Sequence, residues 1–368
     1  MVLVAFAIAV GVASAGFVTG TGPIPAQFDT ALEQFASQHP TYPGVAVAVK
    51  GRGLTWAGAT GSEALSGARP LDPRATFRIA SVTKTFTAAS MLRLVEDGRL
   101  GLDDPVAQHL KSSTVALLRK DGYAVEAMSV RHLLTHTSGL YDYAEDPAFQ
   151  EFVLTHGRHH WTRAEQVRFA MAHGKPYAPP GQEFHYSDTG YILLGEMLER
   201  LTGRSLAGAY RRLLGFDRIG LDETYLETFE RRPAKAKARA HQYFRTIDTT
   251  EFDPSFDLYG GGGLVSTVGD LTVFYRALLG GRIFEHPATL RDMLGKPNPT
   301  RVSEAGMGIF SVQVGRENCW GHSGFWGTTA VHCPDAGVTI AIAVNQAEDF
   351  DRPSQRFLGK LLGIVKRA

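Results

Sequence analysis

Apolar and polar positions follow two rhythms along this chain, and the places where the rhythm changes give its layout. From Gln27 to His39, Phe28, Leu32 and Phe35 recur at helical spacing, which predicts an amphipathic helix. Val45 to Lys50 and Leu54 to Ala59 then run apolar or alternate around Gly51-Arg52-Gly53, which predicts a β-hairpin. Matching elements lie at the far end. Gly308 to Val314, Cys319 to His322, Thr328 to Cys333 and Val338 to Val344 read as strands, and Arg356 to Val365 as a last helix. Strands near both ends, with helical text between, predict one sheet completed by both ends of the chain. The expected division is a sheet-containing α/β domain from 24–85 and 225–368, with a mainly helical domain at 86–224 inserted into it.

Within that layout the segment after Ser81 is the most telling. Val82, Phe86, Ala89, Leu92 and Val95 have helical spacing, and Asp97-Gly98 offers a stop, so Ser81 is expected at a helix start. Unpaired backbone N–H groups there favour negative charge, which suits a serine whose attack creates an oxyanion. A serine hydroxyl is a poor nucleophile and needs a base within hydrogen-bond reach. Lys84, three residues on, shares a helix face with Ser81. Burial beside apolar neighbours predicts a Lys84 that is at least partly neutral and able to accept the Ser81 proton.

Two further stretches follow Ser81-Val82-Thr83-Lys84 in order: Tyr186-Ser187-Asp188 and His322-Ser323-Gly324. Ser-x-x-Lys alone is a weak signal; the set is much stronger. With Val130-Arg131-His132-Leu133-Leu134-Thr135-His136-Thr137-Ser138-Gly139-Leu140 and the run Gly260 to Gly263, it resembles the β-lactamase superfamily of serine hydrolases, in its class C β-lactamase, DD-peptidase and esterase branch. That resemblance implies an α/β (α+β) fold: a mainly antiparallel sheet of the five-stranded type, flanked by helices, with an inserted all-α domain and the active site in the cleft between. It implies Ser81 as the acylated nucleophile, Lys84 as its base and Tyr186 as the proton shuttle to the leaving group. His322 would stand where many members carry lysine and would orient substrate, with Ser323, Gly324 and Phe325 beside it. The backbone N–H groups of Ser81 and Phe325 would form the oxyanion hole.

One position departs from the pattern. Asp188 stands where the family usually has asparagine, and a carboxylate cannot donate a hydrogen bond unless protonated. An ionised Asp188 would hold Lys84 charged, or bind a cationic group on the substrate. A second alignment makes Ser187-Asp188-Thr189 the motif and Ser187 the shuttle, though the surrounding Phe184 to Tyr191 favours Tyr186.

Composition narrows the class of protein. The 368 residues are 44% hydrophobic and 20% charged, enough apolar material for one large or two medium cores. A formal charge of +1 gives no global drive toward nucleic acid or an anionic membrane, and the basic run Arg231 to Arg239 reads as a solvated loop. Residues 1–15, apolar from Val2 and ending in Ala13-Ser14-Ala15, read as a signal peptide, although no Lys or Arg precedes Lys50. A secreted or periplasmic location is expected, with no stable membrane span in the mature chain. Cys319 and Cys333 bracket the His322 motif and fall on neighbouring strands; they could pair in an oxidising compartment, or remain reduced core thiols.

Other signals lead elsewhere. His132 and His136 lack the third ligand or Glu of a zinc site and are expected to pack or hydrogen-bond. His156, His159 and His160 read as loop histidines, and Gly260 to Gly263 as backbone that approaches the cleft closely, since no Lys-Ser or Lys-Thr follows it. No metal or cofactor is called for. The expected partner is a small-molecule or peptide substrate: a cell-wall peptide, an ester or a β-lactam, cleaved through an acyl-enzyme. The rival expectation is a protein of the same fold that recognises penicillin or cell wall without turning anything over.

Overall fold

A computed structural model describes residues 23–67, 69–295 and 305–367; the expected signal peptide lies outside the described residues. Six strands form the main sheet: β1 (Gly44–Gly51), β2 (Leu54–Gly61), β3 (Phe310–Val314), β4 (Glu317–Gly324), β5 (Thr328–Cys333) and β6 (Val338–Ala343). Their order is β2-β1-β6-β5-β4-β3, and every pairing is antiparallel. The two chain ends therefore meet at the β1–β6 seam, where Ala46 to Gly51 pair with Val338 to Ala343.

The central strands are buried on both faces, so they read as apolar runs rather than alternations. The two faces carry different side chains. Val45, Val47, Val49, Ile340 and Ile342 pack against helices Pro23–Gln38 and Asp351–Arg367, where Phe35 stacks on Phe357 at 4.2 Å. Ala46, Ala48, Ala330, Ala341 and Ala343 face inward, and helix Val268–Leu279 packs against that side of β1, β5 and β6. Small residues there let a helix lie close to the sheet, while each branched side chain on the other face removes more area from water than an alanine does, at about 25 cal/mol per Å².

The sheet has one strand more than the five-stranded type. The additional edge strand, β3, pairs with β4 only from Val314↔Glu317 to Phe310↔Gly321. The ladder thus stops just before His322 and leaves the end of β4 for the cleft. Cys319 and Cys333, next to the Trp320↔His332 pair on β4 and β5, are joined as a disulfide with Cα atoms 4.1 Å apart. No helix among the described residues is long and apolar enough to cross a membrane.

A second, small sheet positions the nucleophile. Phe77–Arg78 pairs with Leu264–Ser266, which also pairs with Tyr225–Leu226. Ile79 N–H continues that ladder by donating to Leu264 O at 3.0 Å, so the residues before Ser81 and those after the glycine run are fixed to each other.

Candidate active site

Ser81 lies on a 3₁₀ turn, Ala80–Val82, and the α-helix begins only at Thr83. Ala80 has φ +43°, a backbone value costly for a residue with a Cβ and concentrated at functional sites. The helix Thr83–Glu96 that follows is buried nearly all round and ends at Asp97, with Gly98 at φ +64°. Its hydroxyls pin the cleft loops: Thr85 Oγ1 donates to Gly308 O at 2.7 Å and Thr87 Oγ1 to Gly260 O at 2.7 Å.

Lys84 is fully buried, and its ammonium has an acceptor for each proton: Asp188 Oδ1 at 2.5 Å, Gly261 O at 2.9 Å and Ser81 Oγ at 2.9 Å. Burial works to lower its pKa, but Asp188 and then Tyr186 outweigh that and hold it above the ordinary lysine value. The expectation of a partly neutral Lys84 is therefore reversed in the free protein. Gly261 is required here, since a Cβ on it would sit 2.6 Å from Asp188 Oδ1. That gives the glycine run its physical reason.

Tyr186 is half-buried, with its ring centroid 4.9 Å from Lys84 Nζ and its phenol beside Lys84 and Ser81. Burial raises its pKa, and Lys84 draws it partly back. Ser187, the alternative shuttle, has its hydroxyl committed as the cap of helix Asp188–Thr202, accepting from Gly190 N–H at 3.3 Å.

His322 lies 6.3 Å from Tyr186, ring to ring, at the end of β4. Its Nδ1 donates to the Ser323 carbonyl at 2.6 Å, so Nε2 carries a bare lone pair, and this buried atom has no partner among the described residues. Burial, with Lys84 next, lowers its pKa to about 3, so the ring is neutral. Ser323 Oγ bonds Thr329 Oγ1 at 3.1 Å. A Cβ on Gly324 would meet Ile79 O at 2.1 Å, which shows how tightly β4 abuts the Ser81 turn.

Two cavities open from Ser81 and Tyr186. The deeper, about 340 Å³, has walls of Phe149, Phe244, Phe252, Phe256, Phe325 and Trp326, with Phe325 48% exposed at the rim. Its ionisable lining beyond Tyr186 is carboxylic: Asp142, Glu145, Asp188 and Asp257. Asp142 Oδ1 accepts from Asp188 N–H at 3.2 Å and Ala144 N–H at 3.0 Å, whereas Oδ2 is buried with no partner among the described residues. Burial, followed by Asp188, raises Asp142 well above the usual carboxylate range and brings Asp257 to about 7. The shallower cavity, about 290 Å³, is lined by Phe310, Val312, Gly321, His322 and Ser323, with no lysine or arginine among its described residues. Asp142, Glu145 and Asp257 went unnoticed in the sequence, where they carry no motif.

The profile described as Beta-lactamase matches residues 32–363. The chain belongs to the beta-lactamase family. Among curated proteins it is 27% identical to Penicillin-binding protein 4* of Bacillus subtilis (strain 168), over 68% of this chain and 54% of that protein. It thus spans about half the length of that relative. Among solved structures, a D-stereospecific amidohydrolase from Streptomyces sp. superposes with TM-score 0.76 and 29% identity, covering 90% of this chain and 97% of that one. D-amino acid amidase from Ochrobactrum anthropi SV3, in complex with L-phenylalanine amide, gives TM-score 0.79 and 26% identity, covering 94% and 99%. This beta-lactamase-family chain shares with them a mixed α/β fold built on an antiparallel sheet flanked by helices.

Proposed function

We propose that this protein is an exported serine hydrolase that forms an acyl-enzyme at Ser81 and acts on amides or esters whose acyl part carries an amine and an apolar group. The observation that carries this reading is the opposite character of the two sides of Ser81. The acyl side offers aromatic walls with carboxyl groups among them, suited to an ammonium beside an aromatic or aliphatic side chain. The other side offers Phe310, Val312 and the bare Nε2 of His322, which can accept a hydrogen bond but cannot bind a carboxylate. An uncharged leaving group, such as ammonia, an amine or an alcohol, fits there. Peptides ending in free D-alanine and β-lactams both carry a carboxylate that this side does not complement. The named activities of the two structural relatives, on D-amino acid amides and by D-stereospecific amide hydrolysis, agree with this polarity.

The chemistry follows from the contacts of Lys84. Ser81 Oγ attacks the carbonyl carbon as its proton passes to Lys84 Nζ, which in turn yields one of its own to Asp188 Oδ1. The backbone N–H groups of Ser81 and Phe325 take the developing oxyanion. The Tyr186 phenol protonates the leaving atom, the C–N or C–O bond breaks, and the proton held on Asp188 returns through Lys84 to Tyr186. Water then cleaves the ester on Ser81 by the reverse route. The Ser187 hydroxyl, spent on its helix cap, supports Tyr186 for this role. The buried disulfide supports export, since such bonds persist in oxidising compartments.

The test is a panel of D- and L-phenylalanine amide, their N-acetyl forms and a peptide ending in D-Ala-D-Ala, with Ser81→Ala as control. Turnover of the free-amine amides, reduced by acetylation and abolished in Ser81→Ala, is expected. Faster cleavage of the carboxylate-ending peptide would reverse the substrate reading. No turnover of any member, including activated esters, would favour a recognition protein that keeps the fold.

A further inference from the structure

His136 is 1% exposed and takes no part in the chemistry above, yet it touches three consecutive residues of the segment that carries Tyr186. Its carbonyl accepts from His185 N–H at 2.9 Å, and its Nδ1 accepts from Ser187 N–H at 3.0 Å. Between those bonds its ring stacks on the Tyr186 ring, with centroids 4.3 Å apart and planes 22° from parallel. His136 has φ +55°, just beyond helix Val130–Leu134, a left-handed conformation that histidine tolerates better than most residues. Because Nδ1 accepts, the ring proton sits on Nε2, which is buried with no partner among the described residues. Strained backbone and an unpaired buried N–H are both costs, and both are incurred where the ring meets Tyr186.

We infer that His136 is a positioning residue that holds the Tyr186 phenol over Ser81 and Lys84 by combining a stacked ring with a backbone acceptor. This rests on the reading of Tyr186 as the proton shuttle. The residue type follows from the two tasks. Asparagine supplies the acceptor at the Nδ1 position but no ring, and phenylalanine a ring but no acceptor. Burial, followed by Lys84 and His322, keeps His136 uncharged, so it adds no second cation beside Lys84.

The experiment is a double-mutant cycle on acylation by phenylalanine amide, whose nitrogen must gain a proton to depart, with His136→Asn, His136→Phe, Tyr186→Phe and the His136→Asn/Tyr186→Phe pair. Each His136 change is expected to slow acylation by about 10- to 100-fold, the scale of a catalytic group misplaced by about 1 Å, with little change in KM. In the Tyr186→Phe background the His136→Asn change should cost almost nothing, because its effect runs through the phenol. A structural role would instead lower the melting temperature and cost the same factor in both backgrounds, which would overturn the inference. If Tyr186→Phe slows acylation and the His136 variants do not, His136 alone is misassigned. If Tyr186→Phe leaves acylation unchanged, the reading of Tyr186 fails, and the positioning role with it. Should His136→Phe not fold at its positive φ, His136→Asn still decides, since asparagine tolerates that conformation.

Discussion

Asp188 Oδ1 lies 2.5 Å from Lys84 Nζ, and the pair is buried at the floor of the cleft, one hydrogen bond from the Ser81 hydroxyl. Asparagine at this position would remove the largest influence opposing burial, which lowers an ammonium pKa. With aspartate, the charged pair is the resting state and the carboxylate is a place to hold a proton during attack.

Asp188→Asn tests both consequences. Loss of the counter-charge should bring the pKa of Lys84 down, yet with no carboxylate to receive its proton Lys84 must first be neutral, so the acid limb of kcat/KM for a neutral ester should move to higher pH. The pKa falls because burial, the largest influence on Lys84, would no longer be opposed by Asp188, and the limb rises because the parent acts from the charged lysine, which hands a proton to the carboxylate. For phenylalanine amide, kcat/KM should fall about 10- to 100-fold, a charge-assisted contact of roughly 1.5–3 kcal/mol. Profiles that coincide for the two proteins would remove Asp188 from both roles.

Asp257 gives a pH dependence of stability. Burial, then Asp188, raises its pKa from 3.8 to about 7. Between those values the unfolded chain is ionised while the folded carboxyl keeps its proton. Asp257 therefore costs nothing well below pH 3.8, destabilises progressively as pH rises, and reaches its full cost above about 7. The cavity opens onto Asp257, which is only half-buried, so water moderates the size of the effect. Asp257→Asn should melt higher than the parent at pH 8, with the gap closing toward pH 4. A gap that widens toward acid would show the carboxyl to be ionised and paired.

The strands, the terminal helices and the three motif positions were legible because period and local chemistry encode them. The small sheet of Phe77–Arg78, Tyr225–Leu226 and Leu264–Ser266 was not, since two or three residues are too few to show a period. That sheet fixes Ser81 against the glycine run, so a determinant of the site is tertiary. The 3₁₀ turn at Ser81 was likewise hidden beneath helical spacing that continues through it. Asp142, Glu145 and Asp257 meet only when the loops fold over the cleft, and loop-built walls leave no spacing to read. Burial argued for a partly neutral Lys84, while an ionised Asp188 argued for a charged one, and spacing along the chain does not decide between them. The outcome depends on a carboxylate 104 residues away in sequence.

The disulfide closes a 14-residue separation across β4 and β5. Chain-entropy arguments put such a loop at about 3 kcal/mol. Cys319→Ala/Cys333→Ala should therefore melt several degrees lower while retaining most activity, because the bond joins the half of β4 away from His322. Thiol titration of the purified protein should find no reactive cysteine before reduction and two afterwards. Free thiols at the outset would withdraw this support for export.

His322→Lys tests the leaving-group side by adding what it lacks. The native ring is neutral and presents an acceptor where a carboxylate would need a donor. A lysine there would extend along Phe310 and Val312 and bring an ammonium into the shallow cavity. For a substrate whose leaving group carries a carboxylate, one new charge-assisted contact of roughly 1.5–3 kcal/mol corresponds to a gain of about 10- to 100-fold in kcat/KM. The amide and neutral-ester activities should fall, since a second cation beside Lys84 disfavours the proton transfers Lys84 must make. A gain for the carboxylate substrate with loss for the neutral one would establish that charge at position 322 chooses between these substrate classes. Equal loss for both would mean that His322 serves the chemistry itself, its bare Nε2 taking part in proton transfer rather than selecting the leaving group.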